Sequence, residues 1–352
     1  MFYPFKFQAL YKDYIWGGRN LETLGKKLPE GIVAESWELS CHPDGQSIIA
    51  NGTYKDATLD SFIKKYGIDA IGHSLPSSAI EKFPLLIKFI DANDRLSVQV
   101  HPEDEYAIQH ENGDLGKNEM WYIISAKPDA RIVYGVTPDT TRESFGKAVA
   151  AGRINDCLNY MPVKTGDFIN IPAGLVHAIG AGIVLAEVQQ NSNTTYRVYD
   201  YDRVDKNGSK RPLHVEKALD VIDFNCSNSL KKVEGLSFVK QEYSKSVMIV
   251  NDYFAIEQFK LHGSVRDVAD GSRFFIYIFT EGSGLLKYDG GEIAVSRGET
   301  VFIPASLGEF TIEGQLEMIK SYVPDKNEII KKLMDDGFSR EEILDRVAGL
   351  AK

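Results

Sequence analysis

Two stretches, Gly166-Asp-Phe-Ile-Asn-Ile-Pro172 and Gly298-Glu-Thr-Val-Phe-Ile-Pro304, repeat one frame 132 residues apart. A glycine, five residues rich in β-branched and aromatic side chains, and a proline read as turn, strand and turn. A frame that recurs in this way predicts two copies of one β-domain. The rest of the sequence agrees. FPLLIKFID, LSVQVH, MWYIISA, RIVYGV, IVLAEVQQ, YFAIEQFKL, RFFIYIFT, GLLKYDG and IAVSR are short β-runs bounded by Gly, Pro, Asn and Asp. Many short strands at near-regular spacing point to a sandwich or barrel. The expected fold is mainly β, with two jelly-roll β-barrels.

Helical periodicity interrupts the first copy only. ATLDSFIKKYGIDAIG, PEDEYAIQHE and TTRESFGKAVAAGRINDCL place apolar residues at three- and four-residue intervals. Thr140 and Glu143 have capping-box spacing at the start of the third segment. A helical tail, NEIIKKLMDDGFSREEILDRVAGL, breaks at Gly337 and restarts with Ser339 and Glu342 in the same spacing. The expected organisation is a first barrel with helical insertions over 1–235, a second barrel over 236–323, and a short helical tail over 324–352 that packs on the body or mediates dimerisation.

The formal charge of −10 repels a nucleic-acid backbone or an anionic membrane, while a local cluster of Lys and Arg can still hold a small anion. Cys41, Cys157 and Cys226 are scattered and lack CxxC spacing, which fits a reducing compartment. The N-terminus, MFYPFKFQALYKDYIWGG, lacks the basic-then-apolar pattern of a signal peptide, and no run of 18 apolar residues occurs. A cytoplasmic location is expected, as a monomer or weak homodimer.

Chemistry concentrates in the first copy. Pro172-Ala-Gly-Leu-Val-His177 ends in a histidine, where the second copy has Ser306 in place of the glycine and Glu309 in place of the histidine. A lone histidine leaving a strand is more often a hydrogen-bonded turn residue than a ligand. Its company changes that reading. In LSVQVHP, Ser97, Gln99 and His101 alternate, so an extended strand projects all three to one face, with Val98 and Val100 opposite. In GKNEMWYII, Lys117 and Glu119 share a face by the same parity. An amide oxygen, two imidazoles and a carboxylate suit a borderline divalent cation such as Zn²⁺.

QVHP, KNEMWY, GDFINIPAGLVHAI and AEVQQNSNTTYRVYDY together closely resemble the type I mannose-6-phosphate isomerases, zinc enzymes of the cupin superfamily, and most of all the shorter bacterial members. The resemblance begins at Trp16-Gly17-Gly18 and AESWE and runs to about residue 320. It implies that both barrels are cupin-type, with PEDEYAIQHE splitting the first cupin motif between His101 and Glu119. It further implies that Gln99, His101, Glu119 and His177 bind one Zn²⁺. Arg197 corresponds to the family's active-site arginine, and Lys88 and Ser97 to its phosphate region. The second barrel, without ligands, is expected to be structural.

The implied reaction interconverts mannose 6-phosphate and fructose 6-phosphate through an enediol or enediolate. A base must reach the carbon-bound proton, and Glu187, a carboxylate inside the apolar run VLAEVQQ, and Lys117 are both candidates. On the residues alone, Arg197 could instead pair with Asp200 or Asp202, and Lys88 could be a snorkelling edge-strand lysine. Three other functions compete: a mononuclear iron cupin of the dioxygenase kind, a non-catalytic metal-retaining sugar-binding or regulatory cupin, and an isomerase of another phosphosugar.

Overall fold

A computed structural model of the chain describes residues 2–204, 208–225 and 231–350; Cys226 lies outside them. The expected mainly-β character holds, and the strands form antiparallel sheets packed face to face. None of the sheets closes its hydrogen-bond ladder on itself among the described residues.

A six-stranded sheet carries Phe168–Ile171, Glu119–Ala126, Ile183–Gln190, Leu85–Ala92, Glu35–Leu39 and Leu10–Lys12 in that order. Its central strands Ile183–Gln190 and Leu85–Ala92 are buried at every position. That explains why they read as nearly continuous apolar runs, since both faces are covered. One face, with Ile87, Phe89, Met120 and Ala186, joins a core shared with Ile249, Ile276, Phe302 and Ile319 from the C-terminal half. The other, with Ile90, Trp121, Ile123 and Leu185, meets Ile132 and Tyr134.

These last two residues belong to a five-stranded sheet ordered Leu158–Pro162, Arg131–Val136, His177–Ala178, Val98–Val100 and Tyr196–Tyr199. Its outer face packs Val98, Val100 and Val133 against Phe145, Ala148 and Ala218 of the helices Arg142–Ala150 and Val215–Val221. Val98 and Val100 therefore face packing, as their parity requires, and their polar neighbours face the space between the two sheets.

The C-terminal half forms a ten-stranded sheet, which also recruits the N-terminal strand Phe5–Gln8. Phe5 pairs with Phe302 and Lys6 with Val301. The tail helices Lys326–Asp335 and Arg340–Arg346 bury Ile329, Ile330, Leu333 and Ile343 in a separate core of this half, with Leu236, Phe259 and Tyr322.

Three local expectations change. The cap of helix Arg142–Ala150 is Thr141, boxed with Ser144, because Thr140 turns its hydroxyl to Thr137 at 2.7 Å. RFFIYIFT and GLLKYDG join into one strand, Phe275–Tyr288, whose register shifts between Phe279 and Glu281. A bulge there absorbs the interruption instead of a turn. The helix Val215–Val221 was not expected; its seven residues are too few to show a full apolar period. The Ser339–Glu342 capping box is present as read.

The repeated frame does the same backbone work twice. Gly166 at φ 91° precedes the strand Phe168–Ile171, and Gly298 at φ 82° precedes Thr300–Ile303. Both glycines adopt the left-handed region, but their surroundings differ. A Cβ at Gly298 would stand 2.2 Å from the Leu24 carbonyl oxygen, whereas one at Gly166 meets nothing within 4 Å. Gly166→Ala should therefore cost about 1–2 kcal/mol from backbone strain alone. Gly298→Ala should cost roughly 1–3 kcal/mol more from the clash. Urea denaturation of the two variants checks this, and equal losses would contradict it.

Candidate metal centre and active site

Strand register builds the site as two facing rows. On the six-stranded sheet, Trp37 pairs with Lys88, Lys88 with Glu187, and Glu187 with Trp121. Directly opposed residues share a face, so these four side chains stand side by side. On the five-stranded sheet, Tyr134 pairs with His177, His177 with Gln99, and Gln99 with Arg197. His101 continues from Gln99, and Lys117 and Glu119 enter at the start of Glu119–Ala126. The rows enclose a cavity of about 290 Å³, lined among others by Lys88, Ser97, Gln99, Glu119, Glu187 and Arg197.

At one end His101, Glu119 and His177 converge, with ligand atoms all within 4.8 Å of one another. They form the one such group of three His, Cys, Asp or Glu among the described residues. All three are at most 1% exposed. Each imidazole presents Nδ1 to a backbone carbonyl, His101 to Thr194 and His177 to Leu175, at 2.9 Å in both cases. A carbonyl accepts only, so Nδ1 carries the proton and Nε2 keeps its lone pair facing the site.

Burial, reinforced by the Lys117 charge, pushes the His101 imidazole down to about 3, and burial lowers His177 as well, so both rings are neutral. Burial opposes ionisation of Glu119, but the adjacent Lys117 charge outweighs it and holds the carboxyl well below its ordinary range.

The consequence is an arrangement of acceptors facing acceptors. His101 Nε2 lies 3.2 Å from Glu119 Oε1, and His177 Nε2 3.8 Å from Oε2. His101 Nε2 and both Glu119 oxygens are buried without a hydrogen-bond partner; Lys117 Nζ, 2.9 Å from Oε1, lies off the hydrogen-bond direction. Each such orphan costs on the order of 1–3 kcal/mol. A shared cation removes all three penalties together, and an N,N,O set suits a borderline divalent ion. Gln99 adjoins them: its amide nitrogen is 3.2 Å from His177 Nε2, and turning the amide would present the oxygen there. The residues fit a metal.

The split motif is braced from outside. The inserted segment 102–118 grips the loop that follows Ile183–Gln190. Asp114 accepts from the Ser192 and Thr194 hydroxyls at 3.1 and 2.9 Å, and Asn118 donates to Gln190 Oε1. These bonds fix the loop whose Thr194 carbonyl orients His101.

At the other end of the row lies an ion cluster. Lys88 Nζ stands 3.3 Å from Glu187 Oε1 and 3.8 Å from Glu35 Oε2, and 5.3 Å above the Trp37 ring. Burial alone would discharge this lysine, but Glu35 and Glu187 hold it above the ordinary lysine range. Trp121 Nε1 donates to Glu187 Oε2 at 3.0 Å. Burial, with Glu119 nearby, pushes the Glu187 carboxyl up to about 7, against the pull of Lys88 and Lys117.

The sequence-level candidates are thus brought together, and two alternatives are decided. Lys88 is a 3%-exposed mid-sheet residue, not a snorkelling edge lysine. Arg197 makes no ion pair with Asp200 or Asp202. Its Nε donates to Ser97 Oγ at 3.2 Å and its Nη1 to the Pro212 carbonyl at 3.0 Å. Asp200 instead binds Arg203 and Arg211, and Asp202 binds Lys210. In the second copy Ser306 and Glu309 are both exposed, so neither reaches an interior site. Glu35, Trp37, Trp121 and Arg211 were not singled out; only register reveals the first three as parts of the row.

Fold and donor set together define a cupin-type β-sandwich carrying a site able to hold a metal. Residues 4–133 match the phosphomannose isomerase type I catalytic domain, and residues 244–323 the mannose-6-phosphate isomerase cupin domain. Mannose-6-phosphate isomerase ManA of Bacillus subtilis is 38% identical over 320 residues, covering 91% of this chain and 99% of that protein. The crystal structure of the Bacillus subtilis mannose 6-phosphate isomerase aligns with a TM-score of 0.83 at 34% identity, over 90% of this chain and 99% of that one. A mannose 6-phosphate isomerase solved with zinc and yttrium bound shares the fold, at a TM-score of 0.73 and 18% identity over 92% and 100% of the two chains. The chain belongs to the type I phosphomannose isomerase family.

Because the orphaned acceptors destabilise the metal-free protein, chelation should lower the melting temperature and readdition of a divalent cation should restore it. At a free cation concentration 100-fold above Kd the gain is about 2.7 kcal/mol. His177→Asn should lose this response. A melting temperature indifferent to the cation in the parent protein would dismiss the site.

Proposed function

We propose that the chain interconverts mannose 6-phosphate and fructose 6-phosphate, with Zn²⁺ held by Gln99, His101, Glu119 and His177. The observation that carries the reading is the buried acceptor-against-acceptor contact of His101 and Glu119, beside a protonatable carboxylate in one cavity. The bound ion supplies Lewis acidity for the charge that develops on the sugar's C1 and C2 oxygens.

The chain's own residues supply the rest. Glu187 is the base: it takes the proton from C2 of mannose 6-phosphate and returns it to C1, while the hydroxyl proton of O2 passes to O1 so that the aldehyde becomes the ketone's neighbouring alcohol. Its raised proton affinity suits that exchange near neutral pH. Trp121 holds one carboxylate oxygen and leaves Oε1 without a hydrogen bond, with the Lys88 ammonium 3.3 Å away. Lys117, 4% exposed, places positive charge beside the reacting oxygens and is the alternative proton carrier. Arg197, steadied by Ser97, presents its guanidinium to the anionic substrate. Lys88, read from the sequence with the phosphate region, lies in the same cavity wall, but its charge is shared by Glu187 and Glu35; in this reading it chiefly governs the ionisation of those two carboxylates.

Cys41 and Cys157 are buried and unpaired, in keeping with a cytoplasmic protein; among the described residues no helix is long and apolar enough to cross a membrane. We take it to act as a monomer or weak homodimer.

The central test is a coupled assay for fructose 6-phosphate formation, run on protein stripped of metal and then reloaded with Zn²⁺. Activity should vanish and return; a loaded, folded protein without turnover would leave only a sugar-binding role. A carboxylate base works ionised, so kcat/KM should fall about tenfold per pH unit below about 7 as Glu187 takes up its proton. Glu187→Gln should lose roughly 10²–10⁴ in kcat, together with that acid limb. Retention of both would transfer the role to Lys117, which Lys117→Met then tests. In heavy water the product pool should gain label at C2 of mannose 6-phosphate, and none would indicate hydride transfer or a shielded proton.

A further inference from the structure

The cavity's charges are divided unevenly between its two ends. At the inner end, the ammonium groups of Lys88 and Lys117 face three carboxylates: Glu35, Glu187 and Glu119. Both ammonium groups are thus already matched by carboxylates, and a cation bound there is committed to its ligands and to the sugar's C1 and C2 oxygens. At the mouth stand Arg197 and Arg211, both half-buried and both lining the cavity. The Arg197 Nη1 bond to the carbonyl of Pro212 ties the two segments together at 3.0 Å.

Arg197 has no carboxylate partner in hydrogen-bond or ion-pair contact. Arg211 is clamped by Asp200, Nε to Oδ2 at 2.8 Å and Nη2 to Oδ1 at 2.6 Å. That same carboxylate also binds Arg203 at 2.5 Å, so one negative charge serves two guanidiniums. The mutual effect is visible on Arg197, whose proton affinity is lowered by burial and then by the charge of Arg211. Arg203 has a second carboxylate, Asp94, at 3.7 Å, so Arg197 and Arg211 have the single carboxylate of Asp200 between them. Two guanidiniums on one carboxylate still repel, and an anion placed across them relieves the repulsion.

We propose that Arg211, held rigid by Asp200, is a substrate-phosphate ligand acting beside Arg197 at the cavity mouth. The proposal rests on the isomerase reading, and it fixes the direction in which the substrate lies. The phosphate sits at the arginine end, and the C1–C2 pair reaches inward to Glu187. The clamp uses Nε and one terminal nitrogen of Arg211. The other terminal nitrogen, without a hydrogen-bond partner among the described residues, is the group offered to the phosphate.

The probe is inorganic phosphate, titrated calorimetrically into the cation-loaded full chain and, in parallel, used as an inhibitor of mannose 6-phosphate turnover. Arg211→Ala should weaken phosphate binding about tenfold or more and raise KM by a similar factor, since a charge-assisted hydrogen bond is lost. Arg211→Lys, which keeps the charge but not the fork, should recover part of the loss. Circular dichroism identifies folded variants, and the lysine variant carries the test if the alanine variant fails to fold. Phosphate affinity within twofold of the parent in a folded Arg211 variant overturns the proposal while leaving the isomerase reading intact. Weakened phosphate binding in a protein that never isomerises mannose 6-phosphate sustains the anion site and dismisses the isomerase reading instead.

Discussion

The site depends on register. Lys88 faces Glu187, and Glu187 faces Trp121, only because Leu85–Ala92, Ile183–Gln190 and Glu119–Ala126 pair in one alignment. A slip of one residue would turn Lys88 and Glu187 into the shared apolar core and bring Ile87 or Phe89 into the cavity. Burial on both faces makes that slip prohibitive: it would sink two charges among Met120, Ala186 and Phe302. The apolar positions that surround the charged row are therefore what fixes the catalytic geometry.

Within that frame, the balance of buried charge decides what each group can do. The imidazoles are neutral because they are fully buried and Lys117 is close, and each has its proton locked on Nδ1 by a backbone carbonyl. Glu119 stays ionised and Glu187 sits near the point of protonation, although both are carboxylates in the same cavity. Their difference comes from neighbours: Glu119 has Lys117 at 2.9 Å, whereas Glu187 must share Lys88 with Glu35 and feels the charge of Glu119. Two like groups with separated proton affinities are how one cavity can host a permanent anion and an exchangeable proton.

Much of this was legible in the chain itself. Alternation in LSVQVHP placed Ser97, Gln99 and His101 on one face, because period 2 is a local property of any strand. The Gly-x5-Pro frame gave turn and strand twice for the same local reason. Non-local pairing was not legible. Nothing near Trp121 announces that its indole meets Glu187, 66 residues away. Arg211 follows a polar stretch with no motif, and its link to Asp200 arises from the path of the loop. The cap at Thr141 was missed by one position because Thr140 and Thr141 offer equivalent hydroxyls, and only the Thr140–Thr137 contact separates them. Sheets that close by packing rather than by hydrogen bonding are likewise invisible to a reading of strand spacing.

The strand Phe5–Gln8 has a temporal implication. It leaves the ribosome long before Thr300–Ile303, its partner on one side, is made. During synthesis Phe5 must wait, shielded at most by neighbours such as Phe62 and Tyr3, while almost three hundred residues accumulate behind it. The half that bears the chemistry consequently cannot finish this seam until the half carrying the second copy of the frame has been delivered.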